Sequence, residues 1–222
     1  MSHGPRLVLL GRQGAGKGTQ GQLLADNYGV EHLSTGDLLR AAAVDGTPAG
    51  LEAKEFMDAG ELVPDTTVIR VVEERFTGQF LTRGFVLDGF PRTLAQAREL
   101  ERVLNGHSLD LVLDLEVPRE IVLDRIAGRR VCEECGTTYH LNMPPTNDWT
   151  CDNCGGRVVQ RDDDTEEAVQ RRLELYEVET VPIIDFYRDL GKLVVVDGVG
   201  EGDEVFKRLV DQVEQRFDPQ AP

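Results

Sequence analysis

Lysine, long apolar runs and cysteine outside one short segment are all scarce in this sequence. No stretch approaches the roughly 20 apolar residues needed to cross a bilayer. The amino terminus, MSHGPRLVLLG, lacks the charged, apolar and small-residue order of a signal peptide. Both absences point to a soluble cytoplasmic protein. Lysine occurs only as Lys17, Lys54, Lys192 and Lys207, and the 24 basic residues face 40 acidic ones. The formal net charge of -16 sets up a field that repels nucleic acid and anionic membranes, so neither is expected as a partner. Such an acidic, lysine-poor composition fits a high-salt habitat or a biased genome, and it does not separate the two. A chain of 222 residues can bury one sizeable core with lobes inserted into it.

What is present begins with RLVLLGRQGAGKGTQGQLLADNYG: an apolar strand from Leu7 to Leu10, a glycine-rich turn, then a helix with Leu23, Leu24 and Tyr28 on one face. Gly11, Gly14, Gly16 and Gly18 let the backbone curl so that successive N–H groups point inward at a phosphate. The following helix adds the positive end of its dipole. Lys17 supplies a full charge. The spacing G-x-x-x-x-G-K is the P-loop signature, with Gly18 where a hydroxyl residue is usual and the hydroxyl one place later at Thr19. Further apolar strands are predicted at Phe85 to Leu87, Leu111 to Leu115 and Leu193 to Val196, alternating with helical patterns. That alternation implies a parallel α/β sheet with ligands at the carboxyl ends of its strands, where Gly11 and Asp88 fall. Asp88 there is suited to a magnesium ion or its waters, and equally to forming an Asp-Gly turn.

All four cysteines lie in the pattern C-x2-C-x15-C-x2-C, at Cys132, Cys135, Cys151 and Cys154. Two knuckles at this spacing suit a tetrahedral four-thiolate site, which leaves no open position for substrate and so would be structural. Zinc is the first candidate; iron in the same cage, reversible disulfides and free thiols stay open. The segment between a helix at 119 to 127 and another from about 165 is too small to build its own core, and such units commonly need a metal staple. His140 is read as a packing or surface residue, because four thiolates already complete the cage. Trp149, Tyr176 and Tyr187 are assigned to packing, and Arg130, Arg171 and Arg188 to the surface. An Asp164-x-x-Glu167 cap is expected to start the later helix, with Asp162 and Asp163 orienting nearby arginines or simply forming a solvated helix start.

GAGKGT, STGDLLR at 34 to 40 and DGFPRT at 88 to 93 together resemble the adenylate kinase family of nucleoside monophosphate kinases, from residue 6 to about 200. The resemblance implies a P-loop nucleoside triphosphate hydrolase-like parallel sheet flanked by helices, with a small monophosphate-binding lobe and a zinc-bearing lid. The boundaries would be 1–33, 64–127 and 165–222 for the core, 34–63 for the monophosphate lobe and 128–164 for the lid. It also implies a monomer whose substrates are ATP, AMP and ADP, with Mg2+ accompanying ATP. Gly14, Ala15, Gly16, Lys17, Gly18 and Thr19 would then hold the triphosphate, with Arg125, Arg129, Thr138, Tyr139 and Gly200 against the same nucleotide. Arg40 and Arg92 would hold the phosphate of AMP, within a pocket of Thr35, Glu61, Leu62, Val63, Gly89, Phe90, Pro91 and Gln96. Arg129, Arg161 and Arg172 would close over the transferring group. Lys17, Arg92, Arg129, Arg161, Arg172 and Asp88 are the candidate catalytic set that the resemblance implies.

Arginine suits the task because its planar fork donates paired hydrogen bonds and keeps its charge. The competing reading, ordinary surface ion pairs worth about 0 to 1 kcal/mol each, stands beside it. The sequence carries no Ser/His/Asp relay and no histidine in a phosphate motif. Direct in-line transfer by positioning and electrostatics is therefore expected. Kinases of UMP, CMP or GMP share most of this pattern; Thr35 favours AMP. A zinc ribbon serving as an interaction module on the same scaffold is the remaining alternative.

Overall fold

The structure, a computed structural model, describes residues 4–76, 78–104 and 106–217. In chain order the first elements are β1 (Arg6–Leu10), α1 (Lys17–Tyr28), β2 (Glu31–Ser34), α2 (Thr35–Val44), α3 (Pro48–Asp58), α4 (Asp65–Arg75) and α5 (Gly78–Arg83). Then follow β3 (Phe85–Asp88), α6 (Leu94–Val103), β4 (Leu111–Glu116), α7 (Arg119–Ala127), β5 (Arg129–Cys132), β6 (Thr138–His140) and β7 (Val158–Val159). α8 (Glu166–Leu175), a π-helical turn (Tyr176–Thr180), α9 (Val181–Asp189), β8 (Leu193–Asp197) and α10 (Gly202–Phe217) complete the chain.

The main sheet runs β2-β3-β1-β4-β8, with every pairing parallel. The inner strands β1, β3 and β4 are buried on both faces, so their sequences read as continuous apolar runs, and the period-two alternation divides them between two cores. Val8, Leu10, Leu87 and Val112 pack on one face with Leu100, Ile183 and Tyr187. Leu7, Leu9, Leu111 and Leu113 pack on the other with Leu24, Val122, Ile126 and Leu209. Each fully buried leucine contributes about 1.5–3 kcal/mol. Four of the five strands coincide with the apolar runs of the sequence. β2 does not: it is an edge strand whose one buried residue is Leu33, so no run marks it.

Helix starts follow hydroxyl caps. Ser34, Thr47, Thr93 and Thr165 each accept a backbone N–H from the first turn of the helix they precede. The cap of α8 is therefore Thr165, accepting from Ala168 N, and not the Asp164-to-Glu167 box expected from the sequence. Asp164 is withdrawn from capping because its carboxylate is taken by Arg129. The π turn has a local cause as well. Pro182 has no N–H to give to Val178, and the ladder widens there, with Val181 N bonding to Tyr176 O.

β1 is central, and the chain leaves it first toward β3 and β2, later toward β4 and β8. A crevice opens at that switch point beyond the strand ends. The register sets Leu9 beside Asp88 and Leu10 beside Asp114, so Gly11 emerges between two carboxylate-bearing strands about 4.8 Å away on each side. The segment 128–164 forms its own antiparallel sheet, β6-β5-β7.

Candidate active site

The loop after β1 has the backbone its glycines allow: φ is +136° at Gly11, +81° at Gly14 and +101° at Gly16. Gly14 is required twice over, because a Cβ there would also stand 2.8 Å from Ile126 Cγ1 and 2.9 Å from Val122 O, where the loop lies on α7. α1 begins at Lys17 with no side-chain cap and no acidic residue in its first turn, although the chain holds 40 of them. Its N–H groups and dipole are thus left to an external anion. Lys17 Nζ donates to Gly11 O (2.8 Å) and Arg12 O (2.9 Å). Desolvation pushes its pKa below the ordinary lysine value, opposed by Asp88 and reinforced by Arg92 and Arg129. Ala15 is buried, whereas Gly18 and Thr19 are exposed at the mouth. A Cβ on Gly18 would be 3.5 Å from Asp88 Oδ2, so the carboxylate that ends β3 faces the first turn of α1.

Arginines from five different elements or loops converge beside this turn. Arg129 donates to Asp164 from both Nε (2.8 Å) and Nη2. Arg172 Nη2 donates to Asp163 Oδ2 at 2.7 Å and also to Met57 O. Arg40 pairs with Asp37 and lies 3.8 Å from Asp163, while Arg161 lies 3.9 Å from Asp37. Segments 34–63 and 128–164 therefore meet over the crevice. Arg92 donates from Nε to Gly89 O at 2.8 Å. The cations crowd one another. Burial, then Arg40 and Arg129, bring the Arg161 pKa down to about 10, and Arg92 is lowered by desolvation and by Arg172. Burial alone would raise Asp163, but Arg172 and Arg40 outweigh it and hold the carboxyl below its usual range. A cluster of guanidinium groups that depress each other is relieved by an incoming polyanion. Arg171 and Arg188 do sit at the surface, on Glu61 and Asp185. The orienting carboxylates are Asp163 and Asp164; Asp162 is exposed, one place short of the buried pair.

Around DGFPRT the backbone is held tightly. The Phe90–Pro91 peptide is cis, and Thr35 Oγ1 donates to Gly89 O at 2.9 Å. Gln96 is buried: its Oε1 accepts from Arg92 N (2.8 Å) and its Nε2 donates to Asp65 Oδ1 (2.7 Å). Thr35 and Gln96, expected to face a base, are thus both engaged with the protein; the amide keeps one lone pair and one N–H for anything else. Val63 is buried, Leu62 half-buried, and Glu61 accepts from Arg171 at 2.8 Å. Three contributors were missed by the sequence reading. Thr180 donates to Arg92 O at 3.0 Å, Tyr176 donates to Asp114 at 3.4 Å, and Asp37 anchors Arg40. Tyr176 and Thr180 lie in the π turn, which carries no sequence periodicity, whereas Asp37 was visible inside STGDLLR.

At the triphosphate side, Arg125 donates to Ala15 O (3.3 Å) and Gly198 O (3.2 Å), beside Gly200 in the turn after β8. Thr138 is exposed, and Tyr139 turns its hydroxyl to Cys151 Sγ (3.3 Å) while accepting Asp152 N–H (2.8 Å). Tyr139 thereby packs the cysteine cluster. The four Sγ atoms lie within 4.8 Å of one another, with Cys132 to Cys154 at 3.5 Å and Cys135 to Cys151 at 3.6 Å. A tetrahedron with metal–sulfur bonds of about 2.3 Å has edges of about 3.8 Å, so the donor set fits a single ion. None of the four is in a disulfide. His140 is not among the donors: its Nδ1 accepts Asn142 N–H at 3.1 Å, and its ring covers Gly128, where a Cβ would lie 2.0 Å from Nε2.

A phosphate loop at the switch point of a parallel sheet, under two inserted segments that bring arginines over it, defines a P-loop phosphotransferase. Comparison with known proteins agrees. The family model described as adenylate kinase matches residues 9–192. An adenylate kinase of Carboxydothermus hydrogenoformans is 47% identical over 213 residues, covering 95% of this chain and 100% of that one. Those of Thermodesulfovibrio yellowstonii and Bacillus subtilis are each 48% identical, covering 95% and 92% of this chain and 100% and 96% of theirs. The chain belongs to the adenylate kinase family.

Proposed function

We propose that the protein transfers the terminal phosphoryl group of ATP, accompanied by Mg2+, to AMP, giving two ADP reversibly and by direct in-line transfer. The observation that carries this reading is the convergence of Lys17 and five arginines on one crevice of a molecule whose net charge is -16. Lys17 and the N–H groups from Gly14 to Thr19 hold the triphosphate. Arg40 and Arg92 hold the phosphate of AMP, and Arg129, Arg161 and Arg172 neutralise the charge that develops on the group in transfer. Arg125, Thr138 and Gly200 border the ATP base and ribose, and Thr35, Gln96 and the backbone from Glu61 to Val63 border the adenine of AMP. Asp88 receives the magnesium ion or its waters; when bound, the ion adds to that neutralisation. Residues 128–164 act as a lid that excludes water, which otherwise would compete with AMP for the phosphoryl group. The four cysteines hold structural zinc, outside the chemistry. The reading takes the protein to be a cytoplasmic monomer acting on small nucleotides.

A coupled assay tests the reading. ATP with AMP should yield ADP faster than ATP with GMP, UMP or CMP, and Lys17→Met should lower kcat by about a hundred- to a thousand-fold. A higher kcat/KM with UMP or CMP than with AMP overturns the choice of acceptor.

A further inference from the structure

Two residues of the phosphate loop, Arg12 and Gln13, send their side chains away from the loop to other elements. Arg12 pairs with the half-exposed Glu177 at 2.6 Å and lies over the ring of Tyr176. Such a solvated pair contributes little. Gln13 differs, because its Nε2 donates at 3.1 Å to Oδ1 of Asp164, whose side chain has no exposure to solvent. That carboxylate otherwise holds Arg129 by two hydrogen bonds. Arg129 opens the segment 128–164 and Asp164 closes it, so their pair ties together the two strands of chain at its root. Gln13 is the side chain by which the phosphate loop grips that tie.

We infer that Gln13 is a positioning residue, whose amide docks the phosphate loop on the Asp164–Arg129 pair at the root of the lid so that ATP binding and lid position are set together. A neutral donor is what the place requires. An ammonium or guanidinium there would compete with Arg129 for the carboxylate, and a carboxylate would repel it. The orientation of the amide follows, since exchanging its ends would set two acceptors against each other. Its other end, Oε1, is buried with no hydrogen-bond partner among the described residues. An unpaired buried acceptor is a cost that the bond to Asp164 must offset. Gln13 touches neither the cysteines nor, in the assigned roles, the reacting atoms, and acts through Arg129.

The inference rests on the ATP and AMP reading above, and its test separates the two. Gln13→Ala and Gln13→Glu are compared with the unaltered protein by calorimetric Kd for ATP, by KM for ATP and AMP separately, and by melting temperature. Loss of a hydrogen bond to a charged group should weaken ATP binding by about tenfold in Gln13→Ala, with KM for AMP changed by less than about twofold. Gln13→Glu should lose more at pH 8 and regain part of it toward pH 6, where the introduced carboxyl, set against a like charge, takes up a proton; Gln13→Ala should show no such recovery. An unchanged Kd for ATP in Gln13→Ala overturns the inference. So does an equal rise in both KM values that tracks a fall in melting temperature, which marks a merely structural role. Equal pH responses in the two variants overturn it too. If Gln13→Glu does not fold, Gln13→Ala decides alone. Failure of the unaltered protein to convert ATP and AMP sinks the proposed function, while the Kd for ATP still judges Gln13.

Discussion

The main sheet and the segment 128–164 solve the same problem with different means. Around the sheet, two clusters of buried apolar side chains face each other across β1, β3 and β4. In the inserted segment the buried cluster consists of Cys132, Cys151 and Val158, with Tyr139 and Trp149 partly covering it. At about 25 cal/mol per Å² of buried apolar surface, three small side chains cannot offset the backbone entropy of ordering 37 residues at about 1–2 kcal/mol each. Sharing one ion, which the placement of their sulfur atoms allows, would let the four cysteines supply the missing stabilisation. The difference teaches where rigidity comes from. A large unit obtains it from area, and a small unit with little apolar surface would obtain it from a staple.

Variants can break this comparison on either side. The largest effect is expected in the sheet: Leu113→Ala, at a site with no exposure, should cost the whole fold about 3 kcal/mol, read as a lower midpoint of urea unfolding. Replacing Cys132 and Cys135 together by serine should act locally. A separate early transition should appear in calorimetry while the main transition shifts by less than about 3 °C, and a uniform drop of the main transition would remove the idea of two differently stabilised units. A smaller effect sharpens the boundary between the units, at Asp163. Its carboxyl is held below the usual range in the folded protein, so its contribution is present above the unfolded carboxylate pKa of about 3.9 and lost as pH falls through the lower folded value. Asp163→Asn should therefore cost about 1–2 kcal/mol at pH 7, and the difference from the unaltered protein should shrink steadily as pH falls well below the unfolded carboxylate value of about 3.9 in an acid-unfolding series. A difference that persists undiminished there would show that charge is not what Asp163 provides.

Much of this was legible from the chain. The phosphate turn after β1 is marked by Gly14, Gly16 and Lys17 because only glycine allows that backbone, and the cysteine pairs are marked by spacing alone. Strands β1, β3 and β4 are apolar runs since both faces are covered, and the edge strand β8 still shows as a run of Leu193 and three valines; β2 escaped notice because its sequence, EHLS, holds one apolar residue. The start of α8 was misplaced by one residue. Asp164 has the composition of a cap, yet a distant arginine competes for it and wins, leaving Thr165 to cap. The π turn was invisible for a related reason: its polar residues, Tyr176 and Thr180, are defined by partners at Asp114 and Arg92, which lie far away in sequence.

The linear chain by itself determined the local geometry: where the backbone can curl around a phosphate, which strands can be covered on both faces, and which thiols can reach one ion. These depend on residue type and on neighbours a few positions away. Apart from Asp37, which meets Arg40 one turn along the same helix, which carboxylate holds which guanidinium was decided by the tertiary structure. Asp163 and Asp164 stand in a run of three aspartates, and nothing local says that one meets Arg172 and the other Arg129. Only folding brings each within hydrogen-bonding reach of its arginine, because an electrostatic partner is chosen by distance in space and by exclusion of water, and neither is written in sequence separation.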